Sequence, residues 1–261
     1  MVAERRALLR RLAVAALLIA AAAGPVALYD RLVARHLLER RQAPPVLSPQ
    51  MIIDAFHQLS YYDSRTWLLN TWLGIPTRQN PNDVWITQEI ISETKPDVVV
   101  ETGTFHGGSA VLWAMVLGQV KPAGRVISID IEDMVDEATL PPVAREKVTF
   151  LVGSSTAPEI VAEVRRRVGG KRVLVVLDSD HSMKHVLAEL DAYAPLVQVG
   201  DYLIVQDTNL NGHPVHPGSG PGPMEAVDQF LQRDSRFESD RSRERLLFTM
   251  HPKGYLRRVR S

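Results

Sequence analysis

Four acidic residues stand at the ends of apolar segments, and together they predict a ligand site. The segments are "DVVVET", "GRVISID", "RVLVVLD" and "YLIVQD", and the residues are Glu101, Asp130, Asp178 and Asp207. Short apolar runs that alternate with helical patterns are typical of buried parallel strands, whose carboxyl ends meet at one edge of a sheet. We therefore expect these carboxylates to lie close together.

The stretch "VVETGTFHGGS", residues 99–109, joins the first of these runs to a helical segment. Its glycines, Gly103 and Gly107 among them, permit a tight turn and the close approach of a ligand to the backbone. The turn has neither the G-x-G-x-x-G spacing of dinucleotide-binding proteins nor the Gly-Lys-Ser/Thr sequence of a phosphate-binding loop. Glu101 would repel a pyrophosphate, but it suits the sulfonium and ammonium groups of S-adenosylmethionine.

The neighbouring strand ends also suit a nucleoside. Asp130 is placed to accept hydrogen bonds from ribose hydroxyls, and "LVGSS", which contains Ser154, would border an adenine. We predict that S-adenosylmethionine is bound by Glu101, Gly103, Thr104, Gly107, Ser109, Asp130, Ser154 and Asp178. The alternative is a strand-to-helix turn in which the glycines serve packing alone.

Asp178 and Asp207 predict a metal site at the same edge. Two carboxylates at adjacent strand ends form an oxygen-rich pocket that suits Mg²⁺, which usually takes one or two protein carboxylates. His181 is a candidate general base. Three alternatives stay open: helix capping by the aspartates, a hydrogen-bonded structural histidine at 181, and a zinc site of Asp178, His181 and His185.

The segment that follows Asp207 is a candidate acceptor pocket. "TNLNGHPVHPGSGPGP", residues 208–223, is long and rich in glycine and proline, as specificity loops often are. An ordinary solvated connection is the alternative. The early aromatic residues, Tyr61 and Trp67 among them, either cover the acceptor or pack on the sheet, and the sequence favours packing. The role of His106, inside the glycine turn, stays open.

Two longer stretches resemble a known family. "VETGTFHGGSAVLWA" resembles motif I of class I S-adenosylmethionine-dependent methyltransferases, especially the metal-dependent O-methyltransferases. "LDSDHSMKHVLAELDAYAPLVQVGDYLIVQDTN", followed by "GPGPMEAVDQFL", is similar to the cephalosporin hydroxylase family, which includes rhamnosyl O-methyltransferases. The resemblance extends from about residue 48 to the C-terminus.

This resemblance implies an O-methyltransferase that acts on a hydroxyl of a sugar, a glycolipid or a secondary metabolite. It implies metal ligation by Asp178, Gln206 and Asp207. Gln206 departs from the acidic residue of some relatives, so the site loses a charge. Two outcomes follow from this loss and stay open: weaker metal binding, or no bound metal. Methyl transfer needs donor and acceptor aligned in line, with Asp178 and His181 as the predicted catalytic residues.

Two other functions fit parts of the sequence. A nicotinamide-dependent oxidoreductase or hydroxylase-type enzyme would use the same kind of sheet, although Glu101 and the glycine spacing disfavour it. A non-catalytic, membrane-tethered nucleoside-binding module would keep the glycine turn and transfer no methyl group.

The elements that position these residues alternate between strand and helix. This order predicts a doubly wound, Rossmann-like α/β sheet with helices on both faces, preceded by an N-terminal hydrophobic helix and a small helical cap. We assign residues 33–84 to a linker and the cap, and residues 85–261 to an S-adenosylmethionine-binding methyltransferase domain. "RLLFTMHPKGYLRRV", residues 245–259, predicts a closing hairpin.

Residues 1–32 predict a transmembrane anchor. Four arginines precede an uncharged stretch, Leu12–Tyr29, whose length of about 18 residues is near the minimum for crossing a bilayer. A cleaved signal peptide and a buried helix are the alternatives. Because S-adenosylmethionine is made in the cytosol, we expect a single-pass, membrane-anchored protein with its catalytic domain on the cytoplasmic side.

The amino-acid composition limits the classes of partner that the protein is expected to bind. The 261 residues include 30 basic and 30 acidic side chains, and this balance argues against a general nucleic-acid-binding protein. The absence of cysteine excludes disulfides and thiolate ligands. The expected partners are a small-molecule or lipid-linked hydroxyl acceptor and, through the N-terminal helix, a membrane. A homo-oligomer is compatible with the sequence, which does not specify one.

Overall fold

The computed structural model describes residues 47–261, and all site residues lie in the compact unit of residues 51–261. The α-helices of the described part are α1 Pro49–Tyr62, α2 Pro81–Thr94, α3 Gly108–Val120, α4 Pro142–Lys147, α5 Pro158–Val168, α6 Met183–Tyr193 and α7 Pro223–Arg233. The strands are β1 Thr71–Trp72, β2 Ile75–Pro76, β3 Val98–Thr102, β4 Arg125–Asp130, β5 Val148–Val152, β6 Val173–Leu177, β7 Tyr202–Val205, β8 Phe237–Ser239 and β9 Tyr255–Arg258.

Seven strands form one sheet in the order β5-β4-β3-β6-β7-β9-β8. Strands β3 to β7 are parallel, and β9 runs antiparallel to both β7 and β8. The register places Thr102, the last residue of β3, beside Leu177, the last residue of β6. The strand order reverses between these two strands, so their carboxyl ends form the switch point at which such sheets bind ligands. The predicted doubly wound α/β sheet is confirmed.

Apolar side chains cover both faces of this sheet, because helices pack on each side. Every residue of β3 and of β6 is buried. Helices α2 and α3 pack on one face, where Trp113 is fully buried, and helices α5, α6 and α7 pack on the other. Each fully buried large apolar side chain contributes roughly 1.5–3 kcal/mol, so the core holds the strand ends in a fixed arrangement.

The predicted cap region is described from residue 47 onwards. It contains helix α1, a 3₁₀ turn at Trp67–Leu69 and the antiparallel pair of β1 and β2. Helix α2 follows, and the side chain of its N-cap residue Asn80 accepts a hydrogen bond from the Asn82 amide. The predicted boundary between the cap and the methyltransferase domain, after residue 84, falls within helix α2. This boundary stays a prediction.

Between residues 47 and 261, no helix is both long and apolar enough to cross a membrane. The helices Pro49–Tyr62 and Pro81–Thr94 have 14 residues each, whereas a membrane span needs about 20 apolar residues. This finding contradicts the predicted membrane-anchored location with its cytoplasmic orientation, and we withdraw that prediction. The segment 1–32, which prompted it, lies outside the described residues.

Candidate active site

The carboxyl ends of the central strands surround a cavity of about 720 Å³, which we call the first cavity. This volume falls within the range of roughly 300–1,000 Å³ that is typical of small-molecule pockets. Eight residues predicted from the sequence line it: Gly103, Thr104, Ser109, Asp130, Ser154, Asp178, His181 and Asp207. The sheet therefore brings together side chains that lie far apart in the chain.

The turn between β3 and α3 brings the backbone against the neighbouring strand. Gly103 has a φ of 88°, and a Cβ atom at this position would lie 1.8 Å from the carbonyl oxygen of Asp178. The position therefore requires glycine. The Phe105 amide donates a hydrogen bond to Asp130 Oδ2 at 2.8 Å, which fixes that carboxylate at the cavity wall.

Three predicted residues, Glu101, Gly107 and Gln206, are not part of the cavity lining. Gly107 is the N-cap residue of α3, with a φ of 84°. Glu101 lies beneath the turn, where its carboxylate accepts hydrogen bonds from Trp113 Nε1 at 2.9 Å and from Ser128 Oγ at 2.8 Å. Glu101 is 1% exposed, and this burial raises the pKa of its carboxyl group to about 7.

The burial of Glu101 predicts a pH-dependent contribution to stability. Because its folded-state pKa lies above the ordinary value of 4.5, the folded state holds the proton more tightly than the unfolded state. The resulting stability is complete below the ordinary pKa and is lost as the pH rises through the folded-state pKa. We expect Glu101→Gln, which cannot ionise, to reduce the loss of unfolding free energy between pH 5 and pH 8 by about 2–3 kcal/mol.

Urea denaturation at both pH values measures this difference. Glu146 is exposed, so Glu146→Gln serves as the matched control and is expected to keep the wild-type pH dependence. An equal pH dependence in wild type and Glu101→Gln would contradict the raised pKa.

Asp178, His181 and Asp207 converge at the centre of the site. One potential ligand atom from each residue lies within 4.8 Å of the others, and all three side chains are partly buried. His181 Nε2 is 3.2 Å from Asp207 Oδ2. Two carboxylates and an imidazole form a donor set that can hold a divalent cation.

Two buried glutamines lie against Asp178. Gln79 Nε2 donates a hydrogen bond to Asp178 Oδ2 at 3.0 Å. The Gln206 amide lies 2.7 Å from the same oxygen and donates to it when its nitrogen faces the carboxylate. Burial, together with the nearby charges of Asp207 and Glu101, raises the pKa of Asp178 well above its ordinary range. The site therefore concentrates negative charge that a cation would neutralise.

A second cavity of about 660 Å³ adjoins the first, and the two share Tyr61, Asp180 and His181. The start of α6 and the loop 210–222 form its other walls, with His216 among the lining residues. The Tyr61 and His216 rings meet edge to face, with their centroids 5.3 Å apart. Helix α1 also holds this loop directly, because Tyr62 Oη accepts a hydrogen bond from the His216 amide at 2.8 Å.

Several lining residues differ from the sequence-based interpretation. Tyr61 and Trp67, whose sequence context favours packing, line the first cavity, and so does Gln79, to which no sequence pattern assigns a role. His185 also lines it, with Nε2 3.0 Å from Ser155 Oγ. His106 does not belong to either lining, and its Nδ1 lies 3.0 Å from the Met134 carbonyl oxygen.

Comparison with known proteins assigns the family. A family model described as rhamnosyl O-methyltransferase/CmcI matches residues 64–259. The chain belongs to this family. The rhamnosyl O-methyltransferase of Mycobacterium leprae is 40% identical over 211 residues, which cover 78% of this chain and 90% of that protein. The rhamnosyl O-methyltransferase of Mycobacterium bovis is 39% identical over 212 residues, which cover 78% of this chain and 84% of that protein.

Solved structures support the fold. A CmcI structure with Mg and SAM has a TM-score of 0.56 at 19% identity and covers 74% of this chain and 77% of its own. The O-methyltransferase TomG from Streptomyces achromogenes, in complex with SAM, has a TM-score of 0.54 at 17% identity and covers 82% of this chain and 100% of its own. The Rossmann-like methyltransferase fold is confirmed, and membership of the rhamnosyl O-methyltransferase/CmcI family confirms the predicted family and its methyltransferase class.

Proposed function

We propose that this enzyme transfers the methyl group of S-adenosylmethionine to a hydroxyl group of a sugar-containing acceptor, with Mg²⁺ held beside that hydroxyl. The observation that carries the proposal is the position of Asp178, His181 and Asp207. His181 belongs to the walls of both cavities, and Asp178 and Asp207 line the first. A methyl donor in the first cavity and an acceptor in the second would therefore meet at this cluster.

The first cavity suits S-adenosylmethionine in shape and charge. Asp130 ends β4, where a carboxylate can accept hydrogen bonds from ribose hydroxyls, and Ser154, which follows β5, lines the same cavity. The carboxylates of Asp178 and Asp207 lie in the same cavity, and they attract the positive charges of a sulfonium and an ammonium group. Gly103 allows the ligand to lie directly against the backbone.

The central cluster suits Mg²⁺ by its donor set. Asp178 and Asp207 supply the oxygen ligands that this cation prefers, whereas the Gln206 amide lies against Asp178 Oδ2 and pairs with the Gln79 amide. A bound Mg²⁺ lowers the pKa of a coordinated hydroxyl and orients it for reaction. The neutral Gln206, in place of an acidic residue, leaves the cluster with two carboxylates.

His181 is the proposed general base. Its imidazole lies against Asp207 at 3.2 Å, and this contact orients the ring and would stabilise the charge that the ring acquires with a proton. Tyr61 shares the walls of both cavities, but burial and the nearby Asp207 raise its pKa to about 12. The phenol therefore stays protonated at neutral pH, which leaves His181 as the proton acceptor.

The acceptor class rests on the relatives and on the second cavity. The relatives from Mycobacterium are named for methyl transfer to a rhamnosyl group. Tyr61 and His216 line the second cavity, and amphipathic rings of this kind combine an apolar surface with a polar group. This lining suits a sugar ring, which also has apolar faces and a hydroxyl rim. A sugar on a glycolipid or on a secondary metabolite meets this requirement.

Cofactor binding is tested by calorimetric titration of S-adenosylmethionine. We expect Asp130→Ala to weaken its affinity by about tenfold or more, because the ribose loses a charged hydrogen-bond acceptor. The matched control is Asp133→Ala, an exposed carboxylate three residues further on that lies outside the cavity. Equal affinity in wild type and Asp130→Ala would contradict the proposed placement. Binding without transfer to any rhamnosyl acceptor would indicate a non-catalytic module.

A further inference from the structure

The backbone at Asp207 adopts a conformation that residues other than glycine rarely take. Its φ is 55°, in the left-handed region. Such a conformation persists only where the surrounding structure holds it in place. Residues 249–254, which immediately precede strand β9, contact the segment around Asp207.

Four hydrogen bonds join the end of β7 to this turn. They run from Val205 N to Gly254 O at 2.8 Å, from Asp207 N to His251 Nδ1 at 3.2 Å, from Thr208 Oγ1 to Pro252 O at 2.6 Å, and from Asn209 N to Met250 O at 3.3 Å. The bond to His251 is the one that fixes the Asp207 amide itself. Its acceptor is a side-chain nitrogen, whereas the acceptors of the other three bonds are backbone carbonyl oxygens.

The buried ring of His251 uses its Nδ1 atom to accept the hydrogen bond from the Asp207 amide. It is 2% exposed, and within residues 47–261 its Nε2 has no hydrogen-bond partner. Asp83 Oδ2 lies 3.8 Å from Nε2, which is beyond hydrogen-bond distance. Because Nδ1 accepts a hydrogen bond, the neutral ring carries its proton on Nε2. Burying an unpaired ring nitrogen lowers the stability of the folded state. The contact of Nδ1 with the Asp207 amide is the role that the geometry indicates for this buried ring.

Asp83, at the start of α2, holds the turn in place. Its carboxylate accepts hydrogen bonds from the Met250 amide at 2.9 Å, from Tyr255 Oη at 2.8 Å and from the Thr249 hydroxyl. Asp83 is 1% exposed. The turn that presents His251 is therefore also fixed by a residue of helix α2.

We propose that His251 is a positioning residue that holds the Asp207 backbone in its left-handed conformation and so places the Asp207 carboxylate beside Asp178 and His181. This inference rests on the proposed role of Asp207 as a metal ligand. Partners of this kind, one step removed from the metal, typically change metal affinity by about 10–100-fold when they are removed. No sequence pattern near residue 251 marks it for this role.

Substitutions at residue 251 separate the acceptor atom from the size of the side chain. His251→Leu removes the acceptor, and His251→Gln places its amide oxygen nearer to the position of Nε2 than to that of Nδ1. His251→Asn places Oδ1 close to the position of Nδ1, so it is the conservative variant. Tyr255→Phe is the matched control, because it removes a hydrogen bond to Asp83 and leaves the partner of the Asp207 amide in place.

The experiment combines calorimetric titration of Mn²⁺ into the full chain with hydrogen–deuterium exchange of the peptide that contains Asp207. We expect His251→Leu and His251→Gln to weaken Mn²⁺ binding by about tenfold or more and to lose protection of the Asp207 amide. His251→Asn and Tyr255→Phe are expected to stay within about threefold of wild type and to keep that protection. Far-ultraviolet circular dichroism confirms that each variant is folded.

Three results would overturn the inference. One is wild-type Mn²⁺ affinity in both His251→Leu and His251→Gln, another is retained amide protection in both, and the third is an equal loss of affinity in Tyr255→Phe. A parallel Asp207→Asn titration distinguishes this failure from that of the proposed function. If Asp207→Asn binds Mn²⁺ as wild type does, the proposed metal site is wrong and the inference falls with it.

Discussion

Asp178→Asn is expected to lower the rate of methyl transfer at saturating S-adenosylmethionine by at least about 100-fold, the loss typical of misaligned reactants. The side-chain shape is preserved, but one of the two clustered carboxylates loses its charge. A neutral amide is a weak ligand for Mg²⁺, so Mn²⁺ binding should fall in parallel. The rate is measured by transfer of radiolabelled methyl groups to a rhamnosyl acceptor, over a series of Mg²⁺ concentrations.

The matched control for this variant is an aspartate of helix α6. Asp191 is an exposed residue of α6 that pairs with Arg233 at 2.6 Å, and exposed ion pairs contribute little to stability. Asp191→Asn is expected to keep the wild-type rate and metal affinity. If Asp178→Asn retained full activity in the presence of a chelator, the metal-assisted mechanism would be wrong. If it lost S-adenosylmethionine binding alone, Asp178 would act as a cofactor contact.

The positions of the site residues could be predicted where they close an apolar strand. Asp130, Asp178 and Asp207 each end or follow such a run, and parallel topology forces those ends together. The direction of a side chain could not be predicted in the same way. Glu101 lies on β3, which is covered on both faces, so alternation along the strand gives no signal of which face meets the ligand. The structure buries this carboxylate against Trp113 and Ser128.

Residues that reach the site from distant segments were missed for a related reason. Gln79 lies in a loop ahead of the first strand of the large sheet, and its contact with Asp178 spans 99 positions of the chain. His251 lies 44 positions from Asp207. Local periodicity carries no information about such pairings, since they depend on how whole elements pack. Sequence patterns therefore predict the candidate ligands but not the residues that contact them from distant segments.

The C-terminal region shows the same limit at the level of the fold. The sequence predicts a hairpin whose first arm begins at residue 245, but the strand that pairs with β9 is Phe237–Ser239. Residues 249 and 250 bind the buried Asp83, and Leu247 has a φ of 70°. An apolar segment with strand propensity is thus part of an irregular turn that contacts a buried carboxylate from a distant helix. Propensity alone does not predict such a contact.

His181→Gln is expected to lower the rate constant of methyl transfer by about 100- to 10,000-fold, the range typical of a lost general base. Glutamine preserves hydrogen bonding to Asp207 but cannot take a proton from the acceptor hydroxyl. Single-turnover measurements at saturating S-adenosylmethionine give this rate constant for wild type and variant.

Metal affinity decides between the two roles that the geometry allows for His181. As a general base, the residue can be replaced without loss of Mn²⁺ binding, whereas as a ligand its removal should weaken that binding by about tenfold or more. We expect the affinity of His181→Gln to stay within about threefold of wild type. His106→Gln is the matched control, since His106 lines neither cavity. A rate loss that appears together with a large loss of Mn²⁺ affinity would assign His181 to the metal and require another proton acceptor.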